Sequence, residues 1–373
     1  MIQDKAKAAD LRLISSLFRT NGSFKHGETI PSGHINETYR VTFETSQSTP
    51  RYILQKINTH VFRTPEKLME NIFRVTSHAR KKIEASGGDP RREVLNLVPA
   101  TDGKWFARTP DGGFWRMYDC IEAAKTYDKP ESSDQVFAAA RAFGRFQKTL
   151  ADLPGGRLHE TIPGFHDTRR RFQAFLQALE SDGHNRAAAV KTEIDFALNR
   201  ENQAGLILDL MASREIPERI THNDTKLNNV MFDSRSGEGI CVIDLDTVMP
   251  GSALYDFGDS VRLGAATAAE DERDLDKVDF DIGLYDRLIA GYLNTAGDFL
   301  LPSEIENLAF SARLMTFECG LRFLTDYLEG DAYFRIHRPG QNIDRCRTQF
   351  KMISRMEKLE KEMTAVVSKY VSI

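Results

Sequence analysis

The pattern of hydrophobic and polar positions changes character near residue 120. Before that point strand signals dominate, since residues 39–43 alternate with a period of two and residues 51–57 form a second β-type run. Two shorter strand candidates, residues 104–108 and 114–118, flank a Pro-Asp-Gly-Gly sequence that is typical of a hairpin turn. This first part of the chain is therefore predicted to form a small β-rich lobe.

Helical spacing of apolar residues governs most of the remaining chain. It first occurs within the β-rich part, where Pro65 suits the first position of a helix and apolar residues follow at intervals of three and four. Strand signals after residue 120 are confined to residues 218–246. The helical segments expected in this second part are one ending at Leu150, one beginning near Asp167, and residues 185–213, 281–296, 303–330 and 341–370.

These patterns predict an α+β fold made of two lobes with a cleft between them. The length of 373 residues agrees with this division, because a single domain averages about 150 residues. We predict a small N-terminal lobe over residues 1–120 and a large helical C-terminal lobe over residues 121–373. A cleft between two lobes is a preferred place for a ligand.

Composition argues against several classes of protein. Lys and Arg total 50 and Asp and Glu total 54, and a formal net charge of −4 does not suit a dedicated nucleic-acid binder. No run approaches the ~20 apolar residues of a membrane span, and the charged N-terminus resembles an amphipathic helix rather than a signal peptide. We therefore expect a cytoplasmic protein with neither a membrane nor a nucleic acid as partner.

Residues 221–262 contain the chemically informative part of the sequence. A His-Asn-Asp sequence ends at Asp224 and is followed, after four residues, by Asn229. Two short apolar runs separated by a Ser-Gly-Glu-Gly turn come next, and the second run ends at Asp244. These runs predict a β-hairpin that presents polar groups at both of its ends on one side.

Phosphoryl transfer requires polar groups of these kinds. A carboxylate must accept or orient the attacking hydroxyl, and Asp224 is the candidate. An amide oxygen and a second carboxylate must hold Mg²⁺ on the nucleotide phosphates, and Asn229 and Asp244 are the candidates. Because Mg²⁺ keeps several of its waters, few protein ligands suffice. Each residue alone is a weak signal, but the ordered combination is a strong one.

Other polar residues of this segment have more than one interpretation. The Asp-Phe-Gly triplet at Asp256 matches a metal-binding sequence of protein kinases, but no strand leads to it. We interpret it as part of a loop, with Asp256 as a buried structural carboxylate bonded near His222, itself a packed histidine. Lys226 either neutralises the transferring phosphoryl group or lies at the surface. Asp246 either positions the loop or substrate or binds metal.

Six stretches of the sequence carry a resemblance to a known family: residues 32–39, 54–58, 68–72, 115–119, 222–226 and 243–251. They resemble the aminoglycoside/choline phosphotransferase superfamily, which has a protein-kinase-like bilobal fold, and within it the N-acetylhexosamine 1-kinases. The resemblance extends over most of the chain. The last two stretches are specific to the sugar-kinase branch.

The resemblance implies transfer of the γ-phosphate of ATP to the anomeric hydroxyl of an N-acetylhexosamine such as GlcNAc or GalNAc. It makes Asp224 the catalytic base, and it makes Asn229 and Asp244 the ligands of Mg²⁺. Arg322 matches a sugar-contacting arginine. His34 lies in the loop over the phosphates, where it contacts sugar or phosphate. The implied cofactors are ATP and Mg²⁺, and the implied partner is a small-molecule sugar.

The nucleotide is expected in the cleft, which makes the N-terminal lobe a nucleotide-binding lobe. The adenine is placed near Tyr118, Asp119, Cys120 and Ile121, whose backbone can make hinge-type hydrogen bonds. The phosphate loop has one glycine, Gly33, instead of a G-x-G-x-x-G run.

The third strand departs from the kinase pattern. Gln55 falls where a lysine is expected, and Lys56 comes one residue late. A one-residue shift turns a strand side chain to the other face, so either a bulge brings Lys56 into the cleft or Gln55 contacts phosphate without a charge. Glu70, on the following helix, is either the partner of an inward-pointing Lys56 or a solvent-facing helix carboxylate.

Three alternatives stay open. Arg322 stands on a helical stretch, where an ion pair with Glu318 or Asp326 would satisfy it instead of a sugar. A kinase of another small alcohol, such as choline, an aminoglycoside or a different sugar, would share the catalytic residues. A non-catalytic nucleotide-binding pseudokinase would suit the glycine-poor loop and the irregular lysine, but it would not need Asp224.

Overall fold

A computed structural model of the protein describes residues 10–31 and 35–371. The first strands are β1 (Ser23–Thr29), β2 (Glu37–Glu44), β3 (Arg51–Lys56), β4 (Ala107–Arg108) and β5 (Phe114–Asp119). They form one antiparallel sheet in the order β1-β2-β3-β5-β4, which confirms the predicted β-rich lobe. The pattern does not predict β1, because this edge strand is mostly exposed and polar. The strand predicted at 104–108 is only two residues long.

The two faces of this sheet pack into separate cores. On the outer face, Leu54 and Met117 join a core with the helical segment at residues 10–15. On the inner face, Ile53 and Tyr118 join a core that includes residues from the C-terminal part of the chain. Because side chains alternate along a strand, the face on which a residue lies decides whether it can reach the cleft.

Helix α1 (Pro65–Ala85) begins at the predicted proline and connects the sheet to the rest of the molecule. Its apolar face is buried in the inner core. The buried side chain of Asn71 donates from Nδ2 to the carbonyls of His159 (2.8 Å) and Val248 (3.1 Å). These hydrogen bonds attach the helix to two loops that follow it by about 90 and 180 residues.

The remainder of the chain is mainly helical, as predicted. Its helices are α2 (Pro90–Glu93), α3 (Ser133–Leu150), α4 (Thr168–Ser181), α5 (Lys191–Leu198), α6 (Leu206–Ala212), α7 (Ala253–Gly264), α8 (Ile282–Ala296), α9 (Pro302–Glu306), α10 (Leu308–Leu328), α11 (Gln341–Lys358) and α12 (Glu360–Val371). Helices α3 and α8 approach closely at Gly291, where a Cβ would collide with the carbonyl of Phe137. Within the described part of the chain, no helix is long and apolar enough to cross a membrane.

Several of the predicted helices are divided. Residues 185–213 form α5 and α6 with short 3₁₀ turns, because Gly205 and the polar residues before it interrupt the pattern. The predicted segments 303–330 and 341–370 each contain two helices, which meet at Asn307 and Leu359. The stretch read as a loop around the Asp-Phe-Gly triplet is helix α7 instead. The Ser252 hydroxyl caps its N-terminus by accepting from the Leu254 amide (3.3 Å).

Five short strands support the segment that carries the chemistry. They are β6 (Ala124–Lys125), β7 (Arg219–Thr221), β8 (Val230–Asp233), β9 (Gly239–Val242) and β10 (Met249–Gly251). Strands β8 and β9 form the predicted antiparallel hairpin, with β6 at its edge. Strand β7 pairs with β10, so the two polar segments that follow β7 and β9 lie side by side.

Candidate active site

The loop that follows β7 is anchored by Asp256 of helix α7. The carboxylate accepts hydrogen bonds from the amides of His222 (2.8 Å) and Asn223 (2.7 Å) and from Gln147 Nε2 (2.7 Å). Asp256 is 1% exposed, so this carboxylate holds the loop rather than a metal ion. The predicted structural role is confirmed, although the residue lies on a helix.

His222 fixes the shape of the same loop. Its Nε2 bonds to the carbonyl of Ile243 (2.8 Å) and its Nδ1 to the amide of Asp224 (3.3 Å). A carbonyl only accepts and an amide only donates, so the neutral tautomer with a proton on Nε2 satisfies both contacts. The ring is buried between Phe143 and Phe146, at 5.6 and 5.8 Å between ring centroids. His222 is therefore the packed, hydrogen-bonded histidine that was predicted.

The carboxylate of Asp224 is presented to the cleft by two neighbours. Lys226 Nζ lies 2.7 Å from Oδ1, and Asn229 Nδ2 lies 3.2 Å from Oδ2. Burial acts to lower the pKa of Lys226, but the Asp224 carboxylate outweighs it and raises that pKa. The lysine is therefore a stable cation. The Asp224 side chain is 25% exposed, which leaves it open to a substrate.

The orientation of Asn229 suits a metal ion. Its Nδ2 donates to the carbonyl oxygen (2.8 Å) and the carboxylate of Asp224, so the amide nitrogen is committed. Among the described residues Oδ1 has no hydrogen-bond partner, and an amide oxygen is a ligand that Mg²⁺ accepts. The Ile243 amide bonds to the Asn229 carbonyl (2.9 Å), which brings Asp244 beside it.

Asp244 and Asp246 supply two further carboxylates at the end of β9. Asp244 is exposed to the cleft and takes a left-handed conformation, with φ of 58°, which is uncommon for a residue other than glycine. Its enclosure by the cleft, followed by the charges of Asp246 and Asp224, raises its pKa to about 6. Such a concentration of negative charge favours a bound cation. Among the described residues, however, no three acidic, histidine or cysteine side chains form a metal cage.

The lack of such a cage among the described residues suits Mg²⁺ better than a metal ion that is held by protein ligands alone. Mg²⁺ is usually bound through one or two carboxylates together with substrate phosphates. The Asn229 amide oxygen and the Asp244 carboxylate fit this donor set.

The structure does not bring Lys56 and Glu70 together. Strand β3 pairs with β5 without a bulge, so that Gln55 lies opposite Arg116 and Lys56 opposite Trp115. Lys56 is therefore on the outer face, with Nζ 5.8 Å from the centre of the Trp115 ring. Glu70 bonds instead to His159 Nε2 (3.0 Å). The bulge that would bring Lys56 into the cleft is absent from β3, and Gln55 lies on the cleft face instead.

Replacing Lys56 with Met is expected to leave the KM for ATP within about twofold of the wild-type value, because the ammonium group lies on the wrong face of the sheet. Loss of its contact with Trp115 should lower the free energy of unfolding by at most about 1 kcal/mol. Steady-state kinetics and urea denaturation measure the two effects. A rise of about tenfold or more in the KM for ATP, which is ~1.4 kcal/mol, would show that Lys56 reaches the phosphates.

The remaining residues predicted to contact the nucleotide are those of the phosphate loop and the hinge. Gly33 and His34, in the phosphate loop, lie outside the described residues. In the predicted hinge, the amide of Asp119 bonds to the Asn96 carbonyl (2.9 Å), and the amide of Cys120 bonds to the Arg51 carbonyl (3.1 Å). Those two donors are therefore committed, and the placement of adenine at the backbone of Ile121 stays a prediction.

Arg322 projects from helix α10 among aromatic rings and not into an ion pair. Its guanidinium lies 5.7, 5.8 and 5.2 Å from the ring centres of Phe165, Tyr333 and Phe334. Within the described part of the chain it has no carboxylate partner. Glu318 bonds to His166 (2.7 Å) instead, which removes one of the two alternatives predicted for Arg322.

The other alternative is excluded in the same way. Both oxygens of Asp326 accept backbone amides, those of Tyr333 (2.7 Å) and Phe334 (2.9 Å). Asp326 also accepts from Asn342 Nδ2 (2.7 Å). Among the described residues Arg322 thus forms no ion pair, and its guanidinium lies among aromatic rings.

His166 is a residue that the sequence patterns do not identify. Its Nδ1 lies 2.7 Å from Glu318, and its Nε2 lies 3.2 Å from the carbonyl of Asn223. Burial acts to lower the pKa of His166, but the Glu318 carboxylate outweighs it and raises that pKa. The charged histidine can donate to both acceptors. It therefore connects helix α10 to the residue next to Asp224.

A cavity of about 630 Å³ opens beside the same loop. Lys226 and Asn228 lie on its wall, together with residues of α3, α7, α8 and α11. Its charged lining is mixed, since Arg262 pairs with Glu270 (2.8 Å). The cavity borders the loop residues Thr225 to Asn228, which follow Asp224, and it is large enough for a small molecule.

The antiparallel sheet lobe and the large helical lobe form the kinase-like fold of a phosphotransferase family. The sequence model of the family described as "Phosphotransferase enzyme family" (APH) matches residues 26–297, which is more than half of the chain. The chain belongs to this family. By its family it is a phosphotransferase.

Solved structures share the fold at low sequence identity. An aminoglycoside phosphotransferase from Alicyclobacillus acidocaldarius is 11% identical, with a TM-score of 0.59 and 96% of each chain covered. A choline kinase from Cryptosporidium parvum is 14% identical, with a TM-score of 0.55 and 99% of each chain covered. A spectinomycin phosphotransferase in complex with ADP and spectinomycin is 14% identical, with a TM-score of 0.50 and coverage of 98% of this chain and 99% of that one. These similarities show the fold and leave the acceptor open.

Proposed function

We propose that this protein is an Mg²⁺·ATP-dependent kinase that phosphorylates the anomeric hydroxyl of an N-acetylhexosamine. The observation that carries the proposal is the arrangement of Asp224, Lys226 and Asn229 on one loop, beside the Asp244 carboxylate. The substrate itself rests on the resemblance of residues 222–226 and 243–251 to the sugar-kinase branch.

Each of these residues has a distinct task in the proposed reaction. Asp224 orients the anomeric hydroxyl for in-line attack and takes its proton, and Lys226 pairs with that carboxylate and offsets charge on the transferring group. Asn229 and Asp244 would hold Mg²⁺, which neutralises charge on the phosphates when it is bound. The catalytic gain therefore comes mainly from positioning and charge stabilisation.

The surroundings of Arg322 favour a neutral acceptor over a cationic one. Burial, followed by the charge of Arg322, lowers the pKa of Arg171, which shows that the two guanidinium groups are neighbours. Two neighbouring guanidinium groups would repel choline or an aminoglycoside from a site next to Arg322. Guanidinium N–H groups can instead donate to the hydroxyl and carbonyl oxygens of an N-acetylhexosamine.

An ADP-release assay over a panel of hexoses, N-acetylhexosamines, choline and aminoglycosides tests the acceptor. We expect turnover with GlcNAc or GalNAc, and ³¹P NMR of the product should show phosphate on the anomeric carbon. Preferred turnover of choline or an aminoglycoside would replace the sugar assignment with the kinase of another alcohol. Nucleotide binding without turnover on any acceptor would indicate a pseudokinase.

Replacing Arg322 with Ala is expected to raise the KM for the sugar by about tenfold, while the KM for ATP changes by less than about twofold. The reason is that Arg322 has no ion-pair partner among the described residues and is therefore available to the acceptor. A matched control is Arg313→Ala, on the same helix, whose guanidinium pairs with Glu360 (2.7 Å). Equal changes in both KM values would count against a sugar contact.

A further inference from the structure

The cleft face of the sheet contains one buried arginine that the proposed reaction does not yet use. Arg116, on β5, is 1% exposed and forms an ion pair with Asp246. Its Nε donates to Gln55 Oε1 (2.9 Å), at the position where the kinase pattern has lysine. Gln55 is held in turn by Thr38, whose hydroxyl accepts from its Nε2 (3.1 Å). A cation on β5 thus stands beside the place of the missing cation on β3.

Asp246 connects this arginine to the segment that precedes β2. One oxygen of the carboxylate accepts from Arg116, and the other accepts from Asn36 Nδ2 (2.6 Å). The Asn36 side chain is oriented by the amide of Asn58, which donates to its Oδ1 (2.9 Å). Asn36 comes two residues after His34, so these contacts fix the end of the predicted phosphate loop.

The charges explain why an arginine is needed here. Asp224, Asp244 and Asp246 bring three carboxylates to one part of the cleft, and Lys226 offsets one of them. Asp246 is buried, and a buried carboxylate without a cation would add repulsion toward the phosphates. Arg116 removes that repulsion and leaves Asp244 as the carboxylate that is open to the cleft.

We propose that Arg116 is the positioning residue that replaces the missing β3 lysine, acting through Asp246 and Asn36 to prepare the cleft for the Mg²⁺-bound β- and γ-phosphates. The inference rests on the proposed use of Mg²⁺·ATP, but it does not depend on the identity of the acceptor. It also gives a reason for Gln55 on the third strand, since Arg116 supplies a cation next to it. The cation is therefore on β5 in this protein, and not on β3 as in the kinase pattern.

The test measures nucleotide affinity by calorimetry, with the β,γ-imido analogue of ATP plus Mg²⁺ and, separately, with AMP. Arg116→Gln should weaken binding of the ATP analogue by at least about tenfold and binding of AMP by less than about twofold, because AMP lacks the β- and γ-phosphates. A role limited to folding would weaken both nucleotides equally. Arg108→Gln, on the same sheet in a surface pair with Glu66, is the matched control.

A second variant moves the cation back to the third strand. The double variant Gln55→Lys/Arg116→Gln places a lysine at position 55. Because the Gln55 side chain contacts Arg116, the lysine ammonium group can reach the space that the guanidinium group occupies in the wild type. We expect binding of the ATP analogue to recover to within about threefold of wild type. Failure of this folded variant to recover would overturn the inference, as would unchanged binding by Arg116→Gln. If neither variant folds, Arg116 is a structural requirement and the positioning role is wrong.

These outcomes are separate from those of the proposed function. Wild-type protein that binds Mg²⁺·nucleotide but phosphorylates no hexosamine would contradict the acceptor and leave the role of Arg116 intact. If the wild-type protein phosphorylates a hexosamine and the Arg116→Gln variant binds the ATP analogue with normal affinity, the acceptor is supported and the role of Arg116 is contradicted.

Discussion

Asp224→Asn is expected to lower kcat by about 10²–10⁴-fold, while the affinity for Mg²⁺·ATP stays within about twofold of wild type. The amide has nearly the same size and can still orient a hydroxyl, but it cannot take the proton. Lys226 also loses the carboxylate that lies 2.7 Å from its Nζ, so the charge arrangement around the transferring group changes. Single-turnover kinetics with a saturating sugar measure the chemical step, and calorimetry measures the affinity.

A matched control for this variant is Asp209→Asn. Asp209 is exposed on helix α6 and pairs with Arg169 (2.8 Å), so the same change of charge occurs without contact with the loop. Its kcat should equal that of the wild type. If Asp224→Asn retains wild-type turnover, Asp224 is not the base, and the assignment of the loop to catalysis fails with it.

The sequence was sufficient where the contacts are short-range. The loop from Asp224 to Asn229 and the hairpin that ends at Asp244 depend on turn residues, alternation and spacing, all of which are visible in the chain itself. Their arrangement in space follows from the pairing of β8 with β9. For this reason the sequence predicts that Asp224, Asn229 and Asp244 lie close together, and the structure places them so.

Helix α7 shows why the reading of the Asp-Phe-Gly segment failed. Ten consecutive residues of this helix, from Ala253 to Arg262, are buried. Its polar residues Asp256, Asp259 and Ser260 face the loop after β7 and bond to it instead of to solvent. The segment therefore lacks the exposed polar face by which a surface helix is usually recognised. Asp256 could still be recognised as structural, because the hairpin already supplied a better candidate for the metal ligand.

The contacts of Arg116 and Arg322 could not be predicted from local spacing because their surroundings come from distant parts of the chain. The partner of Arg116 is 130 residues away. The carboxylate next to Arg322 in the helix, Glu318, is taken by His166, which is 152 residues from it. Local spacing predicts an intrahelical pair for Arg322, but a buried contact made across the fold prevents it.

Asp244→Asn is expected to raise the Mg²⁺ concentration for half-maximal activity by at least about tenfold and to lower kcat. The amide keeps one oxygen but loses the charge that attracts the cation. The wild-type pKa, raised to about 6 by the cleft and by the neighbouring carboxylates, indicates that this charge is costly without a cation and is available to one. Initial rates at fixed ATP over a series of Mg²⁺ concentrations measure the effect.

Asp256→Asn tests whether the Mg²⁺ ligand is Asp244 or the aspartate of the Asp-Phe-Gly triplet. Asp256 accepts from two backbone amides and from Gln147, so its loss of charge should lower the free energy of unfolding by about 1–3 kcal/mol. The Mg²⁺ dependence of the folded enzyme should not change, because the carboxylate is buried away from the cleft. If Asp256→Asn shifts the Mg²⁺ dependence and Asp244→Asn does not, Asp256 on helix α7 is the Mg²⁺ ligand, and the proposed role of Asp244 is wrong.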